Sequence, residues 1–260
     1  MKFSIILPTL NESKNIEILI PDIISELNHL NTSDFEIIVV DDNSVDDIVE
    51  VMKSFSKNYK NVSLYIRKEN PSLPLSILEG IEKSKYEYVM WLDADGSMGA
   101  KYIKLLVDEI KKYPEEIIIG SRFVKGGGYK GVSLKGDDTF IKSMRNVYNS
   151  EDSVLAVILS KLFNNLLSSF LNVGVRDITS GFIIGKKTYF DEEIFIGASY
   201  GDYFIKLLIN ARNKGVKCRE VGYICTPRLY GVSKTGTNYF QLFKRGLPYI
   251  KTIFSLKGKK

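Results

Sequence analysis

The stretch YVMWLDADGS, Tyr88 to Ser97, decides how the rest of the chain is read. Its apolar run, Tyr88–Leu92, is too short for a stable helix and predicts a buried strand. Asp93 and Asp95 follow at once, separated by the small residue Ala94. In an open α/β sheet, ligands bind beyond the carboxyl ends of the strands, so an acidic cluster at that place is a candidate site. Carboxylates so spaced can approach one Mg²⁺ or Mn²⁺ carrying a diphosphate. The same acids also suit a turn, or the cap of a helix starting near Ala100.

Outward from this stretch, apolar runs and helical patterns alternate. Phe3–Leu7, Glu36–Val40, Val62–Ile66 and Glu116–Ile119 predict further strands. Between them, Ile16, Leu19, Ile20, Ile23, Ile24 and Leu27 keep helical spacing, with Pro21 predicting a kink or a restarted helix. Val45–Ser56, Leu75–Ser84 and Lys101–Lys112 predict more helices. Such a βαβαβα order predicts an α/β fold with a mostly parallel central sheet and helices on both faces. Farther on, Lys125–Asn149 reads as a long polar loop and Val154–Leu171 as a helix. Ile178–Ile184 reads as a strand, Tyr203–Asn213 as a helix, and Lys217–Thr226 as a strand. Tyr239–Phe254 has an amphipathic helical pattern interrupted by Gly246-Leu247-Pro248.

Two other strand ends carry polar clusters: Pro8-Thr9-Leu10-Asn11-Glu12 and Asp41-Asp42-Asn43-Ser44. Like charges gathered at a sheet edge repel unless a cation or a donor-rich ligand joins them. With 44% hydrophobic and 26% charged residues, the 260-residue chain has the composition of a folded domain. No apolar run is long enough to span a bilayer, and the opening MKFSIILPTLNE reads as a strand and not as a signal peptide. Cys218 and Cys225 would face opposite sides of one strand, which disfavours a disulfide and suits a reducing cytoplasm. The net charge of +5 is uneven. Val221–Lys260 carries +8 without an acid, which leaves −3 on the first 220 residues. A basic tail of this kind points to an anionic partner such as lipid, nucleic acid or a phosphorylated substrate.

Taken together and in order, PTLNE, VVDDNS, WLDADGS and GSRF resemble the family 2 glycosyltransferases with their GT-A fold. GSRFVKGGG, VRDITSGF and RLYGVSK narrow the resemblance to polyprenyl- and dolichyl-phosphate mannose or glucose synthases, over roughly residues 1–236. The resemblance implies a catalytic domain at 1–236 and a basic amphipathic segment at 237–260. It implies that Pro8, Glu12, Asp41 and Asp42 hold the base and ribose of a nucleotide, and that Asp93 and Asp95 hold the metal and diphosphate. Arg122, Arg228, Ser233 and Lys234 would meet phosphates of donor and acceptor, a role suited to guanidinium forks and an ammonium point charge. Asp177 and Ser180 are expected either to pack and turn the chain at the sugar subsite or to touch the sugar.

The implied reaction moves a hexose, mannose foremost, from a nucleotide diphosphate sugar to a polyprenyl phosphate, with inversion. Mg²⁺ or Mn²⁺ is the implied cofactor. The phosphate acceptor is already anionic and needs no general base, so the lone histidine, His29, is not expected to act. The basic amphipathic end suggests a peripheral place on the cytoplasmic membrane face, with a small membrane subunit as a further partner left open. Nucleic acid is not expected as a partner, because the tail lacks a recognisable binding module. The absence of GxGxxG after the first strand disfavours a nicotinamide oxidoreductase.

The chain departs from the synthase pattern at four places. Ser97 stands where a glutamine usually faces the cation, and Ser72-Leu73-Pro74-Leu75-Ser76 replaces a stretch with two glycines. Ala156 stands where an arginine usually precedes Ser160, with Lys161, Lys142 or Arg145 as substitutes. Gly131–Asn149 is longer than the usual connection. These departures keep two other readings in view. One is a family 2 transferase acting on a glycan hydroxyl, with Asp177 or Asp202 as its base; the other is a nucleotide-sugar binder without turnover.

Overall fold

The structure, a computed structural model, describes residues 1–29, 34–129, 132–133 and 154–231. The first half alternates as expected: β1 (Phe3–Thr9), α1 (Ser13–His29), β2 (Phe35–Asp41), α2 (Ile48–Asn58), β3 (Val62–Ile66), α3 (Leu73–Lys83) and β4 (Tyr88–Trp91). A 3₁₀ turn at Ala100–Tyr102 leads into α4 (Ile103–Lys112), followed by β5 (Ile117–Ser121), β6 (Gly128–Tyr129) and β7 (Val132–Ser133). The second half holds α5 (Val154–Leu171), β8 (Ile183–Lys186), α6 (Glu192–Phe195), α7 (Asp202–Asn213), β9 (Cys218–Gly222) and β10 (Ile224–Cys225).

Seven strands form the main sheet in the order β3-β2-β1-β4-β8-β5-β9. It is mostly parallel, but β8 runs antiparallel to both β4 and β5. Alternate residues of β1 enter opposite cores: Phe3, Ile5 and Leu7 join Leu19, Ile23 and Leu106 on one face, while Ile6 joins Ile77, Trp91 and Leu208 on the other. Burial on both faces explains why the central strands read as unbroken apolar runs.

Several local expectations are corrected. Helix α1 continues through Pro21, which is exposed, as is Glu17, whose carbonyl loses its usual helical donor. The buried series Ile16, Leu19, Ile20, Ile23, Ile24 and Leu27 holds the helix together across that lost bond. The Ile178–Ile184 run is extended in the sheet only from Ile183. Before it, Ile178 donates its N–H to the Asn164 side chain at 3.0 Å, and Gly181 adopts a φ of +72°. Lys217–Thr226 is two strands, because the chain passes between sheets at Tyr223, whose N–H reaches the Ser121 carbonyl and whose carbonyl accepts from Gly128. There β10 joins β6 and β7 in a small second sheet, so part of the expected Lys125–Asn149 loop is strand. Cys218 and Cys225 are both free thiols, one on each sheet. The 237–260 segment lies outside the described residues.

Candidate active site

Register brings the polar clusters to one edge. In the β1–β2 pair Thr9 stands opposite Asp41, and in the β1–β4 pair Ile6 stands opposite Trp91, two residues before Asp93. Because β8 is antiparallel, its beginning meets the end of β5: Ile183 pairs with both Trp91 and Ile119. The carboxyl ends of β1, β2, β4 and β5 therefore share an edge with the Asp177–Phe182 approach to β8. His29 sits exposed in the last turn of α1, a helix that leads away from this edge.

Asp41 and Asp42 shape the first part of the edge. Asp41, 1% exposed, accepts from the Thr9 hydroxyl at 2.8 Å, the Ser44 amide at 2.8 Å and the Ser44 hydroxyl at 2.5 Å. Asp42 is ion-paired with Arg67, and its other oxygen accepts the Ser72 amide at 2.9 Å. Arg67 escaped the sequence reading although it follows β3 and obeys the same strand-end rule. Ser72 is extended, with φ −159°, and Pro74 occupies the first turn of α3. Loss of the two glycines therefore creates no backbone strain there. Pro8 is buried within β1 opposite Val40.

The Asp93–Ser97 loop is tightly tied. Asp95 accepts the Ser97 amide at 2.9 Å through its side chain and the Leu229 amide at 3.0 Å through its carbonyl. The Ser97 carbonyl accepts the Thr226 amide at 2.9 Å. Gly96 has a φ of +78°, a conformation that calls for glycine, and the Leu229 side chain lies against it. Burial and the neighbouring Asp95 push the Asp93 carboxyl up to about 7, with Arg122 opposing and Glu12 adding to the rise.

The arginines are engaged with acids. Arg122 grips Asp177 with Nε at 2.8 Å and Nη2 at 2.6 Å, its backbone amide adds a third bond at 2.9 Å, and Nη2 also reaches Thr179 at 2.9 Å. Burial alone would lower the Arg122 pKa, but Asp177 more than offsets this and holds it well above its usual value. Arg228 binds both Glu12 oxygens, at 2.6 and 2.8 Å. There too burial opposes the charge and Glu12 restores it, with help from Asp95 and Asp93. Ser233 and Lys234 lie outside the described residues.

Of the two readings of Asp177 and Ser180, the geometry shows packing and turn roles. Asp177 is fully buried against Arg122, and the Ser180 hydroxyl donates to the Gly120 carbonyl. Asp202, the first residue of α7, ties the preceding turn by accepting the Ser199 and Tyr200 amides, each at 2.9 Å. Glu220 and Asn164 were not foreseen. Glu220 accepts the Arg176 and Asp177 amides at 2.8 and 2.9 Å, while Asn164, 1% exposed, accepts from Ile178 and Thr179. No short motif marks either residue.

Among the described residues, no group of three or more His, Cys, Asp or Glu side chains is arranged to enclose a metal. A cation that keeps its waters and takes oxygens from a bound diphosphate needs only one or two carboxylates from the protein. Asp93 and Asp95, close enough for one to raise the other's pKa, supply that donor set, so the residues fit such an ion.

The family model described as glycosyl transferase family 2 matches residues 4–194. A dolichol-phosphate mannosyltransferase of Pyrococcus furiosus is 36% identical over 127 residues, which cover 49% of this chain and only 35% of that protein's length. A polyprenol monophosphomannose synthase of Mycolicibacterium smegmatis is 28% identical over 242 residues, covering 90% of this chain and 81% of the relative. A mannosyltransferase structure from Pyrobaculum calidifontis, in complex with GDP-Man and Mn²⁺, superimposes with a TM-score of 0.61 at 14% identity, over 98% of this chain and 64% of that one. That likeness shows the GT-A fold. With the matched region spanning the strands that carry the acidic edge, the chain belongs to glycosyl transferase family 2.

Proposed function

We propose that this glycosyltransferase moves a hexose, mannose foremost, from a nucleotide diphosphate sugar to a polyprenyl phosphate at a membrane surface, inverting the anomeric carbon. The observation that carries the reading is the shared edge of Asp41, Asp42, Asp93 and Asp95, with Arg122 and Arg228 engaged beside it. The two relatives with polyprenol or dolichol phosphate in their names support the acceptor class.

In this reading Pro8, Asp41 and Asp42 wall the nucleotide, and the Asp42–Arg67 pair stiffens that wall. Asp93 and Asp95 hold Mg²⁺ or Mn²⁺, which when bound neutralises charge on the departing diphosphate. Arg228 faces the same oxygens, and Arg122, fixed by Asp177, keeps a positive charge beside the sugar subsite. An acceptor phosphate is already a nucleophile, so no side chain need remove a proton. The glycan-hydroxyl alternative would need Asp177 or Asp202 as base. Both carboxylates are instead bound to an arginine or to backbone amides.

In the same reading an apolar stripe on α5 makes the membrane contact. On α5, Leu162, Leu166 and Phe170 recur every four residues and are 52%, 70% and 52% exposed. Such a stripe suits the apolar side of an interfacial helix, and the +8 of Val221–Lys260 suits anionic headgroups. No described helix is long and apolar enough to cross a membrane. The test is a screen of nucleotide diphosphate sugars with Mg²⁺ or Mn²⁺, offering short-chain polyprenyl phosphate or free glycans. Transfer to the phosphate supports the proposal, and transfer only to glycans overturns the acceptor.

A further inference from the structure

Glu12 was expected to hold the base or ribose, yet its carboxylate faces another partner. The segment Thr226–Gly231 crosses the acidic edge as a strap with several ties. Thr226 and Leu229 bond backbone to backbone with Ser97 and Asp95. Farther along, the Tyr230 amide donates to the Asn15 side-chain oxygen at 2.9 Å, and the Asn15 amide group donates back to the Tyr230 carbonyl at 3.3 Å. Arg228 lies between these ties. Its Nη2 meets both oxygens of Glu12, and its Nε donates to the Tyr230 carbonyl at 2.8 Å. Glu12 is also held by Asn15 at 2.5 Å and is itself only 7% exposed.

We infer that Glu12 and Asn15 are positioning residues for Arg228: they fix the strap and aim its guanidinium at the diphosphate of the donor. The inference rests on the proposed nucleotide diphosphate donor. Three features carry it. A buried carboxylate with both oxygens on one guanidinium nitrogen and a third contact to Asn15 is already committed to protein partners. The strap is also tied backbone to backbone to Ser97 and Asp95 on either side of Arg228's place in it, which sets Arg228 beside the acid loop. Finally, Nε of Arg228 is held by the Tyr230 carbonyl while Nη2 is held by Glu12, so the guanidinium is fixed from two sides.

Calorimetry with Mn²⁺ and two probes tests this without turnover: inorganic pyrophosphate, and the mononucleotides GMP and UMP. Glu12→Gln should weaken pyrophosphate about tenfold, as expected when a charged hydrogen-bonded partner is lost, and change mononucleotide affinity less than about twofold. Arg228→Gln should do the same, and the double variant should be no weaker than Arg228→Gln alone, because residues in one network are not additive. Glu12→Asp should recover part of the loss. Asn15→Ala, which releases the strap at Tyr230 and leaves the Glu12 charge, provides a second variant should Glu12→Gln fold poorly; it too should weaken pyrophosphate selectively. Loss of mononucleotide binding in Glu12→Gln would overturn the inference and restore Glu12 as a nucleotide ligand. Tighter pyrophosphate binding would overturn it by making Glu12 a competitor for Arg228. Pyrophosphate affinity unchanged in both Glu12→Gln and Asn15→Ala would overturn the inference alone. A wild-type protein that ignored pyrophosphate, GMP and UMP would overturn the donor reading along with it.

Discussion

The Arg122 and Asp177 side chains are joined at two points, Nε to one carboxylate oxygen at 2.8 Å and Nη2 to the other at 2.6 Å. The pair fixes the end of β5 against the loop that enters β8, the one antiparallel strand of the main sheet. Breaking such a pair from one side leaves a buried charge uncompensated, at a cost of about 3–5 kcal/mol. Asp177→Ala should therefore lower stability by about that much, and Arg122→Met with Asp177→Leu should regain much of it. Denaturant melts of the parent and the two variants check this. Equal stability of Asp177→Ala and the parent would contradict a structural role for the pair.

Asp95→Asn should leave the fold intact and reduce transfer at least about a hundredfold, since it removes a ligand charge from the cation. Its side-chain oxygen can still accept the Ser97 amide, so the loop keeps that tie. Donor binding in the variant should lose its dependence on Mg²⁺ or Mn²⁺. Turnover at the parent's rate would remove Asp95 from the metal site.

Asp93 gives a pH test. Its carboxyl titrates near 7 instead of 3.8, so the native state holds this proton more tightly than the unfolded chain. The contribution to stability is present below the unfolded pKa and is lost as pH rises through about 7. In EDTA at pH 8, Asp93→Asn should thus be more stable than the parent by about 1–2 kcal/mol. Mn²⁺ should raise the melting temperature of the parent and not that of the variant. An Asn variant that melted lower in EDTA would show that Asp93 is stabilised as an anion by partners other than a cation.

The apolar stripe of α5 predicts the membrane behaviour. Replacing Leu162, Leu166 and Phe170 with glutamine should preserve the melting temperature, because these side chains are already half or more exposed. Affinity for anionic vesicles, read by co-sedimentation, should fall at least about tenfold, since burying the exposed half of each side chain contributes about 1 kcal/mol. Binding by the parent should weaken as salt rises. Undiminished sedimentation of the triple variant would place membrane contact elsewhere, in the basic segment whose Phe243, Ile250 and Phe254 lie outside the described residues.

The frame of this fold was legible because both faces of the sheet are covered. Apolar runs such as Glu36–Val40, buried throughout in β2, then coincide with their elements, as does the helical run Val154–Leu171. The acids after β1, β2 and β4 were legible for a related reason: polar residues that interrupt buried strands stand out. What stayed hidden depends on contacts distant in sequence. Nothing near Ile183 announces that β8 runs against its neighbours. Nothing near Glu12 announces a partner at Arg228, 216 residues away. Arg122 shows the same limit, because the order GSRF marks a strand end without disclosing that Asp177 takes the guanidinium.

The linkage in the product tests the central claim most directly. The protein would be incubated with Mn²⁺, the donor selected from the screen and a short-chain polyprenyl phosphate, and the product examined by ³¹P and ¹H NMR. The predicted result is a glycosyl phosphodiester whose anomeric configuration is inverted relative to the donor. Free hexose alone, or a retained configuration, would contradict the account.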